Sequence, residues 1–290
     1  MKAARVIKNL GKLKGKLLMF GGVYGNLQAL KKLKKWADEN NYCNENIFCT
    51  GDILGYCAQP AESIKLLQQW DINIIAGNVE LQIRNDEDDC GCDFNSGGRC
   101  DLFSRTWYAY TKSKIDDSIK DWLHTTPDNI QFSYAGRNIT LVHGSWFHTS
   151  EYIFKSTPWS KKQENFEATK SDVIIGGHSG LPFADSRNNC TWINTGAIGM
   201  PANDGTTRVW FVTMHDDDGK AVFQFHPLRY DHKIASALMA NNKLPEAYAK
   251  TLNTGLWDNC EILPEEETNK QGEKIVLDIQ HLKLRRKFNL

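Results

Sequence analysis

The chain has no surplus of either charge, because 35 Lys and Arg stand against 35 Asp and Glu. Its global balance therefore gives no reason to expect nucleic acid as the main partner. It also lacks an apolar run approaching the ~20 residues that span a bilayer, and its first segment lacks the apolar core of a secretory signal. Eight cysteines in 290 residues are too sparse for a disulfide framework. These absences lead to the expectation of a cytoplasmic protein without a membrane partner, whose thiols stay reduced unless a metal claims them.

What is present is 41% hydrophobic residues, enough for a sizeable core. We expect one main domain, residues 17–263, flanked by a solvated basic arm (1–16) and a charged tail (264–290). Residues 264–274 are polar and expected loose, and the cluster Lys283-Leu284-Arg285-Arg286-Lys287 reads as a solvated end. Within the domain, Leu17-Leu18-Met19-Phe20 reads as a strand that runs into a glycine-rich turn. Asn26 then looks like an N-cap, with Leu27, Leu30, Leu33 and Trp36 at helical spacing behind it. A strand at 47–49, a helix at 60–70 and a strand at 72–76 continue the alternation that marks a parallel sheet with helices on its faces. Residues 86–99 break the pattern as an inserted loop, and helical character returns from 101 to about 123. Strands are expected at 129–134, 138–142, 173–175, 191–194, 208–214 and 221–226, and helices at 231–240 and 245–252.

Five of the apolar runs end in glycine-containing turns that present Tyr24, Asp52, Asn78, His143 or His178. A glycine beside each polar residue lets backbone crowd close to a small charged ligand. A carboxylate, an amide oxygen and two imidazoles form a ligand set suited to zinc, manganese or iron. Each piece alone is weak, since a lone Gly-Asp or Gly-His is more often an ordinary turn. Cys90-x-Cys92, with Cys100 and Cys57, offers a second candidate centre, a thiolate zinc site. Its one-residue gap departs from the usual two-to-four spacing, and free thiols are the expectation.

Taken together and in this order, Gly51-Asp52-Ile53-Leu54-Gly55-Tyr56, Gly77-Asn78, His143-Gly144-Ser145, Gly177-His178 and Asn194-Thr195-Gly196-Ala197-Ile198-Gly199 resemble the calcineurin-like metallophosphoesterases. Within that family the nearest branch is the bacterial one labelled diadenosine tetraphosphatase-like or protein-phosphatase-related. The resemblance extends from about Leu17 to about Leu263. It implies an α/β fold, a four-layer αββα sandwich of two mixed sheets, with a binuclear metal site at the strand ends. It also implies hydrolysis of a phosphate monoester, a diester or a dinucleoside polyphosphate.

The departures from the family pattern fall on one half of that site. The family's opening Asp-x-His is replaced by Gly22 and Tyr24, the second histidine of its last motif by Gly180, and the proton-donating histidine after Gly-Asn by Val79. One metal therefore keeps only Asp52. The other keeps all four implied ligands: Asp52, Asn78, His143 and His178. The resemblance thus implies one divalent transition metal (Mn, Fe or Zn), catalytic roles for Asp52, Asn78, Glu80 and Tyr24, and weak hydrolysis, because positioned proton transfer is typically worth ~10²–10⁴ in rate. A structural role is the competing reading of Tyr24. The expected partner is a phosphorylated small molecule or nucleotide. A rival from another class is a noncatalytic phosphate- or nucleotide-binding protein on the same fold, favoured by Gly22, Tyr24, Val79 and Gly180.

Overall fold

The computed structural model describes residues 5–282. Its strands are β1 (Ile7–Lys12), β2 (Leu17–Phe20), β3 (Ile47–Cys49), β4 (Asn73–Ile74), β5 (Asn129–Tyr134), β6 (Arg137–Leu141), β7 (Val173–Gly176), β8 (Pro182–Arg187), β9 (Cys190–Thr195), β10 (Val209–Asp217), β11 (Lys220–Leu228) and β12 (Gln280–His281). The helices are α1 (Leu27–Glu39), α2 (Pro60–Trp70), α3 (Asn78–Arg84), α4 (Arg99–Lys114), α5 (Asp117–Thr125), α6 (Trp159–Thr169), α7 (His232–Asn241), α8 (Glu246–Thr254) and the single turn α9 (Glu265–Thr268). The strands make two mixed sheets, ordered β1-β5-β6-β7-β9-β8 and β12-β11-β10-β2-β3-β4.

The central strands are apolar on both faces because each face meets a different layer. In β2, Leu17 and Met19 enter the core between the sheets, whereas Leu18 and Phe20 join the cluster that includes Leu30 and Leu33 of α1 and Ile64 and Leu67 of α2. In β7, Val173 and Ile175 face inward and Ile174 packs outward with Phe166 of α6. Strands buried in this way read as continuous apolar runs rather than alternating ones. The layers are helix, sheet, sheet, helix, and the parallel strands β2, β3 and β4 end together on the side that carries the site.

Two readings of the termini are corrected. Residues 7–12 are not a solvated leader; they pair in parallel with β5. Their side chains are mostly exposed, so no apolar alternation marks this edge strand and backbone pairing carries it. Residues 264–274, expected loose, are held as well, and so is the stretch that follows them to 282. Glu267 accepts from the Ser156 backbone at 2.9 Å, Ile275 donates to Asp204 at 3.2 Å, and Leu282 joins the core between the sheets. Polar pairing of this kind leaves no hydrophobic period to read. The 283–287 basic cluster lies outside the described residues.

Candidate metal centre

The loops that follow β2 and β3 are zipped together by backbone. Gly22 donates to the Gly51 carbonyl at 3.2 Å, Tyr24 to Asp52 at 3.0 Å, and Gly25 to Ile53 at 2.7 Å. A second pair of loops is joined likewise, since Gly177 and His178 both donate to the carbonyl of His143, at 2.9 and 3.0 Å. The turn after β9 braces the first pair, with Ile198 and Gly199 donating to Gly21 and Gly22 at 2.9 and 2.7 Å. Tyr24 and Asp52 sit at φ of 53° and 52°, a left-handed conformation that side chains other than glycine adopt at a cost.

This scaffold brings four of the expected residues to one point. Nε2 of His143 lies 3.1 Å from Oδ1 of Asn78, 3.0 Å from Nδ1 of His178 and 3.2 Å from Oδ2 of Asp52. All of these side chains are buried. His143 Nδ1 is 2.7 Å from the Thr50 carbonyl, which can only accept, so Nδ1 carries the proton and Nε2 of the neutral ring presents a lone pair. Asn78 donates its Nδ2 to the Cys90 carbonyl at 2.8 Å and contacts Cys92 Sγ at 3.2 Å, which turns its Oδ1 inward. His143 Nε2, Asn78 Oδ1 and the Asp52 carboxylate therefore meet as acceptors, and Asp52 Oδ1 is buried without a hydrogen-bond partner. Such a convergence of lone pairs fits a cation. Four donors at about 2.0–2.2 Å from a tetrahedral ion lie roughly 3.3–3.6 Å apart, close to the spacing found.

The electrostatics describe the same point. Burial pushes the Asp52 carboxyl up, but the two imidazoles outweigh it and hold the group well below the usual carboxylate range. For His143, burial works against the charge and the neighbouring carboxylate reverses this, so its pKa is raised. In His178 burial prevails and the pKa is lowered. The ring of His178 is held by a stack on Tyr152, with centroids 4.3 Å apart.

Glu80 has another occupation. Its Oε2 accepts from the backbone N–H groups of Asp52 and Gly77 at 2.7 and 2.8 Å, and its Oε1 from Leu54 at 3.0 Å. It is wholly buried and does not line the cavity above the cluster. Burial first and the nearby Asp52 charge second push its pKa up to about 7. Its chemistry is to hold the Asp52 loop against the start of α3. Gly77 permits that approach, since a Cβ there would lie 2.2 Å from Asp52 Oδ1.

The space beside Gly22, where the sequence departs from the family pattern, is filled rather than open. Gly22 has φ of +49°, and a Cβ on it would lie 2.6 Å from Cζ of Tyr24 and 2.8 Å from the Ala197 Cβ. The Tyr24 ring thus takes the space that a side chain at position 22 would need. A Cβ at Gly180 would come within 3.7 Å of the Tyr24 hydroxyl. Val79 is buried in the helix-side core, so no proton donor stands in its place.

The cavity beside the cluster is lined by Tyr24, Asp52 and His178 together with Tyr152, Tyr248 and Trp257. None of these last three was singled out by the sequence, because loops and α8 bring them in from distant positions. The thiolate zinc site is not formed. Cys57 points to the Gly199 carbonyl at 3.9 Å and Cys100 to Asn259 at 3.3 Å. Among the described residues Asp52, His143 and His178 form the group of metal-ligating side chains that come together.

Residues 22–217 match the calcineurin-like phosphoesterase superfamily domain. An uncharacterized protein of Methanocaldococcus jannaschii is 25% identical over 261 residues, covering 84% of this chain and 99% of that protein. The crystal structure of a metallophosphoesterase from Sphaerobacter thermophilus has a TM-score of 0.65 at 22% identity, over 84% of this chain and 100% of the other. A hypothetical protein from Pyrococcus horikoshii has a TM-score of 0.71 at 18% identity, over 83% and 99% of the two chains. Both structures are similar in fold, and no membrane-length apolar helix is found among the described residues. With the domain match covering well over half of its length, this chain belongs to the calcineurin-like phosphoesterase superfamily.

Proposed function

We propose that the chain is a slow metal-dependent phosphoesterase that holds one divalent transition ion (Mn, Fe or Zn) through Asp52, Asn78, His143 and His178. The observation that supports this reading is the convergence of His143 Nε2, His178 Nδ1, Asn78 Oδ1 and Asp52 Oδ2 at one buried point, with Asp52 Oδ1 left without a hydrogen-bond partner. When bound, such an ion polarises a phosphoryl oxygen and makes a water more acidic. The chain's own groups do the rest. Tyr24 lines the cavity, and its hydroxyl would serve as a hydrogen-bond donor to a phosphate oxygen. Glu80 and Cys92 act through others, by fixing the Asp52 loop and the Asn78 amide. The substrate is a phosphate ester or a phosphoanhydride.

A noncatalytic phosphate-binding protein is the second reading, favoured by the Tyr24 ring in the space of the missing ligands and by the buried Val79. Metal content and turnover of a generic phosphodiester, measured for the parent chain, His143→Ala and His178→Ala, separate the two. A hydrolase loses metal and turnover together in both variants. Turnover that is absent in the metal-loaded parent selects the binding protein, and metal content unchanged in both variants removes the quartet.

A further inference from the structure

On the reading of this cavity as a phosphoesterase site, we propose that its ligand carries a single phosphate on a planar aromatic group, and that polyphosphates are rejected. The first reason is charge. No Lys or Arg lines the cavity, and its two ionisable carboxylates are Asp52 and Asp258. Arg99, which pairs with Asp258 of the lining, is committed to it through Nε at 2.7 Å and Nη2 at 2.9 Å, and lies over the Phe103 ring. One divalent ion set against the Asp52 carboxylate leaves about one positive charge. That offsets about half of the roughly two negative charges of a phosphate monoester and falls far short of the roughly four of a tetraphosphate bridge, whose larger excess would enter unpaired.

The second reason is the wall. Tyr24, Tyr56, Tyr152, Tyr248, Phe94 and Trp257 surround the space, and several are locked in place before any ligand arrives. Tyr56 stacks on Trp107 at 4.7 Å and meets Tyr248 edge-on at 5.0 Å. Trp257 donates its indole N–H to the Pro201 carbonyl at 2.8 Å and its backbone N–H to Asn203 at 2.8 Å. Fixed aromatic faces hold a ring at little entropic cost. The cavity measures about 80 Å³, against the ~150 Å³ that encloses a benzene. The enclosed space is thus about half of what one ring fills, so a single ring would be held in part between the aromatic walls and the mouth, and a second would find no enclosed room. Tyr248 and Trp257 also lie beyond residue 217, outside the stretch that matches the superfamily domain, so the chain's C-terminal part supplies these two of the six aromatics.

The test uses the full chain saturated with manganese, with metal content measured on the same sample and affinity followed by tryptophan fluorescence and calorimetry. Phenyl phosphate, methyl phosphate and inorganic triphosphate are the probes. Phenyl phosphate is expected to bind at least ten-fold more tightly than either of the others. Trp257→Ala and Tyr248→Ala are each expected to shrink the phenyl-to-methyl ratio below three-fold while metal content stays the same. Equal affinity for phenyl and methyl phosphate, or tighter binding of triphosphate, in metal-loaded protein overturns this inference and leaves the phosphoesterase reading in place. A chain that takes up no metal at Asp52, His143 and His178 overturns both.

Discussion

If the Tyr24 ring closes the space beside Gly22, enlarging residue 22 and removing the ring must be energetically coupled. Gly22→Ala places a methyl group 2.6 Å from Tyr24 Cζ and 2.8 Å from the Ala197 Cβ, on a backbone at φ of +49°. The left-handed conformation costs an L residue roughly 1–2 kcal/mol, and overpacking adds typically about 1–3 kcal/mol, so the single substitution is expected to destabilise by about 2–5 kcal/mol. In a Tyr24→Ala background the ring contact is gone while the contact with Ala197 and the backbone cost remain. The cost of Gly22→Ala should then fall by about 1–2 kcal/mol, within the ~0.5–3 kcal/mol range of touching pairs. Equilibrium urea unfolding of the four proteins, with midpoint and slope both recorded, closes the cycle. Effects that add to within about 0.3–0.5 kcal/mol would show that the ring does not hold this space.

Glu80→Gln keeps the shape of the side chain but turns one acceptor of the three loop amides into a donor, and should cost roughly 1–3 kcal/mol in urea unfolding; an unchanged midpoint would mean that the Asp52 loop stands without it. Cys92→Ala removes the 3.2 Å contact to the Asn78 amide while the Cys90 carbonyl stays. Metal affinity in a calorimetric titration should therefore drop by about 10-fold, the lower end of what outer partners of a ligand contribute, and no loss would contradict the role given to Cys92. Adding metal to about 100 times its dissociation constant should raise unfolding stability by about 2.7 kcal/mol, reversibly on chelation. A stability curve indifferent to both metal and chelator would speak against any site of useful affinity.

The convergence of the proposed donors could be read from the sequence because each sits just past the end of a strand. Asp52, Asn78 and His178 each follow an apolar run closed by glycine, His143 follows one directly and precedes Gly144, and a run buried on both faces is visible in composition alone. The groups that orient those donors were not legible. Cys92 reaches Asn78 from an irregular loop, Tyr152 reaches His178 from another, and Trp257 arrives from beyond α8, with no period or spacing linking any of them to its target. Glu80 was visible as an acid in the right motif, yet its partners are three backbone amides, which no sequence pattern specifies. The fold was readable in its centre and misread at its ends for a related reason. β1 and residues 264–282 are held by backbone pairing and by single polar contacts to Asn203, Asp204 and Ser156, so they carry little hydrophobic signal.

A single-metal centre is most directly tested by counting ions and locating them. Protein purified without added metal is analysed for elemental content, and anomalous scattering from its crystals is recorded at the edges of manganese, iron and zinc. One transition ion per chain is expected, with its anomalous peak between Asp52, Asn78, His143 and His178. Two ions bridged by Asp52 would contradict the filling of the second position by Tyr24, and a peak at Cys90 and Cys92 would contradict the quartet itself.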